Sequence, residues 1–358
     1  MRHFDYLKSE IEEELFYKLP ENIDKNTELN LLKYSVGALL YIPAINKDKL
    51  YKFFSGNIKG ATSVVMCLED SVGDTGEDEA IENIREVMGY IRRMEIMKHK
   101  SPLIFIRPKN AAQMEKFTDI LRENLDILTG IVIPKANSET VEEFLEILDR
   151  EGCSSLYIMP IIETTEFTSI DTKEEALCKL KNVVRKNISR VLNVRIGVTD
   201  ILGAYSLRRN KKYTIYDNIV FRSFLADLMS FLGSSNSNDI VISGGVSEFY
   251  NMKKEDILES YIKELELDKM NGFVGKTVIH PYQLYVCEAM NVVSFEDYVD
   301  ASNILGNVNS KYGVSAGLHK DRMNEVNPHL NWAKRIIKLS KVYGVFNEGV
   351  DYNELLEF

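Results

Sequence analysis

The sequence predicts an α/β fold: a (β/α)8 TIM barrel with an N-terminal helical lead-in and a C-terminal helical extension. Three observations carry this. Short apolar runs alternate with longer amphipathic stretches, as βα units do. Eight such runs fall within about 250 residues, the size of an eight-stranded barrel. Most of the runs also stop on a charged or glycine-rich residue.

In order, the runs are ALLYIPA (38–44), SVVMCLED (63–70), LIFIRP (103–108), GIVIPK (130–135), LYIMPIIE (156–163), VRIGVTD (194–200), DIVISGG (239–245) and FVGKTVIH (273–280). Pro43, Pro108, Pro134 and Pro160 lie late in their runs, which suits strand ends where no ladder N–H is required. Between the runs, GEDEAIENIREVMGYIRRMEIM, AQMEKFTDILREN, SETVEEFLEILDR and YDNIVFRSFLADLMSFLG read as helices, three of them opening on an N-cap or an acidic first turn. Residues 1–33 read as the lead-in, 34–289 as the barrel, and 290–358 as a helical segment acting as a lid or a subunit-crossing element. A doubly wound sheet is the alternative, but no G-x-G-x-x-G follows the first strand.

The composition is that of a globular chain: 358 residues, 45% hydrophobic and 27% charged. A net charge of −10 disfavours nucleic acid or an anionic membrane as partner. Four scattered cysteines without C-x-x-C read as buried thiols of a reducing compartment. The acidic N-terminus is unlike a signal peptide, and no apolar run is long enough to span a bilayer. A cytoplasmic location is expected.

NGFVGKTVIHPYQL (271–284) contains Gly-Lys-Thr, but Met270 stands where a P-loop needs its first glycine, and a charged helical run precedes it instead of a strand. It reads as a barrel strand. In a barrel the site forms at the C-terminal strand ends, which here carry Glu69-Asp70, Arg107, Lys135, Glu163, Asp200, Ser243-Gly244-Gly245 and His280. Carboxylates from separate strands suit a hard, oxygen-seeking ion such as Mg²⁺, with Mn²⁺ as the alternative. An arginine beside them suits a substrate carboxylate held in a bidentate fork.

The motifs, in order from Ala38 to Leu284, resemble the citrate lyase β-subunit and malyl-CoA lyase group of the pyruvate/phosphoenolpyruvate-type barrels. VVMCLEDSV is similar to that family's D-L-E-D-A-V, FIRPKN to its arginine strand, IVIPKANS to its Pro-Lys strand and PIIETTE to its glutamate strand. IGVTDILGAYSLRR resembles its Gly-x-x-Asp stretch, and GFVGKTVIHPYQL its G-F-x-G-K-x-x-I-H-P-x-Q. TIYDN (214–218), VISGGVSEFY and MNEVNPHLNWA look like a narrower branch, the TIM-barrel C–C bond lyases associated with tellurium-resistance-type gene clusters.

The resemblance implies a Mg²⁺-dependent lyase or aldolase that acts on a carboxylate-bearing keto or hydroxy acid, with a CoA thioester as one form. It makes Glu163 and Asp200 metal ligands and Arg107 the substrate clamp, with Gly197 and Thr199 binding the acid through backbone amides. Glu69 and Asp70 would orient the site, with Lys135 beside them and Glu325 as acid/base in place of the family's aspartate. A homotrimer or homohexamer is implied. Cys67 and Gly37 depart from the family's aspartate and arginine. A phosphoryl-acting enolpyruvate enzyme of the same superfamily and a non-catalytic scaffold are the competing readings.

Overall fold

The structure, a computed structural model, describes residues 1–69, 72–94, 101–233, 240–311 and 313–357. All eight runs deliver a strand: β1 (Ala38–Pro43), β2 (Ser63–Cys67), β3 (Leu103–Arg107), β4 (Gly130–Ile133), β5 (Tyr157–Ile162), β6 (Val194–Ile196), β7 (Ile242–Ser243) and β8 (Lys276–Val278). The strands are parallel, in the spatial order β7-β6-β5-β4-β3-β2-β1-β8, and a parallel bridge from Gly244 to Lys276 joins the two ends. The chain is a (β/α)8 barrel.

Strand periodicity sorts the side chains into two apolar layers. Leu39, Val65, Cys67, Leu103, Phe105, Val132, Met159 and Ile161 point inward and pack as one buried cluster. Leu40, Val64, Met66, Ile104, Ile131 and Ile158 point outward and pack under the helix ring with Ile84, Phe144, Leu180 and Phe224. Because the period is two, the next inward positions beyond Cys67, Phe105 and Ile161 are Glu69, Arg107 and Glu163. The core thus places three charged groups together at one mouth.

One element differs from the sequence expectation. The run VRIGVTD is strand only to Ile196; Gly197 caps a helix, Val198–Ala204, and Asp200 lies in that helix's first turn, where free N–H groups favour a carboxylate. At the termini, helix Ser9–Leu15 leads into a short strand, Phe16–Lys18, paired antiparallel with Val345–Phe346. Helices Phe295–Gly306 and Val326–Tyr343 flank a hairpin of Val314–Ala316 and Met323–Glu325. They build a second apolar cluster with Phe4, Leu15, Val241 and Val274, at the N-terminal ends of the barrel strands. No helix among the described residues is long and apolar enough to cross a membrane.

The Gly-Lys-Thr segment closes the barrel. Gly275 has φ +66°, and a Cβ there would lie 2.2 Å from the carbonyl oxygen of Gly37, just before β1, so only glycine lets the two backbones meet. Lys276 is fully buried; its Nζ lies 2.9 Å from Glu264 Oε1 and 2.7 Å from Asp268 Oδ2 on helix Glu255–Met270. Arg209 pairs with Glu264, and Tyr216 donates to Asp268 Oδ1 at 2.7 Å. This desolvated network holds the loop that follows Asp200 against β8.

Candidate active site

Arg107 and Glu163 sit at the inner mouth of the barrel with Glu69. Arg107 Nη2 lies 2.5 Å from Glu69 Oε2 and donates to Glu163 Oε1 at 3.1 Å. Lys135 contributes twice, its backbone N–H to Glu163 Oε1 at 2.8 Å and its Nζ to Glu69 Oε1 at 3.0 Å. It does so with φ +46°, a left-handed conformation that a non-glycine residue adopts at a cost of about 1–3 kcal/mol. That backbone twist after Pro134 is what turns the Lys135 N–H inward. The fit at Gly197 is as tight: a Cβ there would lie 2.2 Å from Glu163 Oε2. Glycine at 197 is therefore what lets the β5 carboxylate and the Asp200 helix approach each other.

The electrostatics single out Glu163. Burial raises its pKa from 4.5 to about 7; Arg107 opposes that rise, and the charges of Asp200 and Glu69 add to it. Burial also works against the Arg107 charge, but Tyr41, Glu163, Cys67 and Glu69 together hold it above the usual arginine value. Arg107 thus offsets only part of what burial and the neighbouring carboxylates cost the ionised Glu163. Among the described residues no three His, Cys, Asp or Glu side chains surround a common point. Two carboxylates, Glu163 and Asp200, with the remaining positions open to solvent and substrate, are a donor set that Mg²⁺ accepts, since it keeps several waters. The residues fit the ion.

The other candidates divide. Thr199 is exposed and Gly197 half-buried on the Asp200 helix, both at the mouth. Asp70 lies outside the described residues. Glu325 ends the C-terminal hairpin, where its backbone N–H donates to His329 Nδ1 at 3.0 Å; no described contact joins it to the strand-end cluster of the same chain. His280 caps helix Pro281–Asn291, its Nδ1 accepting the Tyr282 N–H at 3.2 Å, and it stacks on Tyr250.

A model of the C–C bond lyases of the TIM-barrel fold matches residues 30–345. The chain belongs to this family. No curated protein sequence matches it. Among solved structures, it is similar to a citrate lyase from Burkholderia xenovorans (TM-score 0.63, 14% identity, covering 89% of this chain and 95% of that one). It is also similar to protein CitE from Mycobacterium tuberculosis in complex with magnesium, acetoacetate and coenzyme A (TM-score 0.58, 16% identity, 86% and 99%). A third is the citrate lyase beta subunit of the same organism complexed with oxaloacetate and magnesium (TM-score 0.50, 14% identity, 72% and 96%). At such identities the likeness shows the fold.

In this C–C bond lyase the sequence reading passed over two groups beneath the site. Tyr41 on β1 places its ring under the Arg107 guanidinium, 5.8 Å from centroid to Cζ. Arg195 on β6 is wholly buried in the barrel interior. Strand parity was the available signal: Arg195 is two residues before Gly197, hence inward-facing, and a charge inside an apolar run is out of place.

Proposed function

We propose that this family member makes or breaks a carbon–carbon bond next to the carbonyl of a carboxylate-bearing keto or hydroxy acid, in a Mg²⁺-dependent reaction, with a CoA thioester as one form of the acid. The observation that supports this most is the buried Glu163, packed against Gly197 at the start of the Asp200 helix and only partly compensated by Arg107. Glu163 and Asp200 would hold the ion, which supplies Lewis-acid stabilisation of the negative charge developing beside the carbonyl.

The chain's own groups do the rest. Arg107 spends Nη2 on the two glutamates, and its buried Nε takes no described partner, so one edge of the fork is left for a substrate carboxylate. Lys135, half exposed, holds Glu69 from above and fixes Glu163 through its amide. Thr199 offers its N–H at the start of the Asp200 helix to the same acid, whereas the Gly197 N–H already donates to the Ile162 carbonyl at 3.0 Å. Glu325 is the acid/base in this reading, and its place on a hairpin away from the cluster favours action on the site of a second copy. Residues 34–289 would then be the catalytic unit, 290–358 the crossing element, and the assembly a homotrimer or homohexamer.

The test is deuterium exchange into the methyl group of pyruvate in D₂O, read by NMR, with acetyl-CoA run in parallel. Exchange that needs both Mg²⁺ and Glu163, and is lost in Glu163→Gln, is the expected result. Measurable Mg²⁺ binding without exchange into either compound would sink the keto-acid and thioester reading, and point to another substrate class or to the scaffold.

A further inference from the structure

A buried arginine with no acid to meet stands under the site. Arg195 lies opposite Ile161 of β5 and Ser243 of β7, so its side chain enters the barrel below Glu163 and Gly245. It is fully buried. Its Nη2 donates to Thr277 Oγ1 at 2.8 Å and its Nη1 to Asn193 Oδ1 at 3.4 Å, both neutral, and its Nε has no acceptor. Among the described residues no carboxylate pairs with it. An aliphatic side chain would fill the same volume without the cost of desolvating a charge. The charge therefore calls for a purpose beyond packing.

The geometry gives it one. Tyr41, inward-facing on β1, links the two guanidinium groups: its ring face meets Arg107 at 5.8 Å, and its buried hydroxyl feels the charge of Arg195. The two cations also repel each other through the interior. Ring and repulsion together stop Arg107 from folding down into the barrel and keep its fork at the mouth, on Glu69 and Glu163.

We infer that Arg195 is a positioning residue for Arg107, acting through the Tyr41 ring. The kinetic part of the inference rests on the reading of Arg107 as the substrate clamp; the structural part does not.

The experiment has two arms, on Arg195→Met, Arg195→Lys and Tyr41→Leu in the full chain. The first uses the side-chain NMR signals of ¹⁵N-labelled arginine in the free protein, with the Arg107 Nε–H resonance identified by its loss in Arg107→Lys. That N–H should exchange with solvent about tenfold faster in Arg195→Met and be restored in Arg195→Lys, a rescue that mere core packing would not produce. The second reads pyruvate exchange. The half-saturating concentration should rise about tenfold in Arg195→Met while the maximal rate stays near wild type, as expected when a ground-state clamp is loosened. Thermal melting checks folding, and if Arg195→Met does not fold, Tyr41→Leu, which removes the ring, decides with the same expected direction. An unchanged Arg107 signal in folded Arg195→Met, or in Tyr41→Leu if Arg195→Met does not fold, overturns the proposal. If Arg107→Lys leaves half-saturation unchanged, the clamp reading falls, while the spectral arm still judges Arg195.

Discussion

Replacing Glu163 by glutamine should stabilise the metal-free protein at alkaline pH and do little at acidic pH. The carboxyl's pKa rises from 4.5 in the unfolded chain to about 7 in the fold, because burial and the neighbouring charges of Asp200 and Glu69 outweigh Arg107. A group raised in this way binds more protons folded than unfolded between those two values. The stability it lends is thus complete below about pH 4.5 and is lost as pH climbs to about 7. At 1.36 kcal/mol per unit, the ionised side chain costs the folded protein about 3 kcal/mol near pH 8. Glutamine keeps the Oε1 acceptor that Arg107 and Lys135 use and removes the charge. Urea unfolding in EDTA, near pH 5 and near pH 8, reads the difference: Glu163→Gln should exceed wild type by about 2–3 kcal/mol at the higher pH and match it at the lower. A variant no more stable than wild type at both values would refute the idea of a carboxylate short of countercharge. Adding Mg²⁺ should then favour wild type, since only the carboxylate gains from the ion.

Gly197→Ala drives a methyl group into the Glu163 carboxyl and should weaken Mg²⁺ binding at least about tenfold in calorimetry, with the fold retained by circular dichroism. Lys276→Met leaves Glu264 and Asp268 without their shared cation and should cost about 3–5 kcal/mol in chemical denaturation, with loss of ordered signals from the loop at 209–217. Glu163→Gln and Glu325→Gln should each abolish pyruvate exchange alone and recover part of it when unfolded together and refolded as mixed oligomers. No recovery would place Glu325 outside a neighbour's site.

The barrel was legible because parallel strands buried on both sides leave apolar runs that local composition exposes, and because inward parity follows from counting residues. The same counting placed Glu69, Arg107 and Glu163 at one mouth. Three things were not legible. Asp200 moved from strand to helix because Gly197 ends the ladder early, and whether a chain turns after a glycine is decided by what it meets, here the Glu163 carboxyl. Lys135 has a left-handed backbone that no propensity assigns to lysine. Lys276 was read on a barrel strand, but its burial was hidden, because its partners Glu264 and Asp268 come from a helix whose amphipathic face does not announce a buried acid. Arg195 was visible to parity but was read as part of an apolar run.

The antiparallel pairing of Phe16–Lys18 with Val345–Phe346 has a consequence for how the molecule is made. The lead-in is synthesised long before Val345–Phe346, and its strand has no hydrogen-bonding partner in the interval. Until then its edge is open, and Leu15 and Phe16, destined for the terminal cluster, lack the Val342, Val345 and Phe346 that cover them. The barrel can close strand by strand during translation, whereas the seam must wait for Val345–Phe346. Chaperone engagement and proteolytic nicking of the nascent protein are therefore expected to concentrate at residues 9–18, and any truncation that ends before Val345 would make that transient exposure permanent.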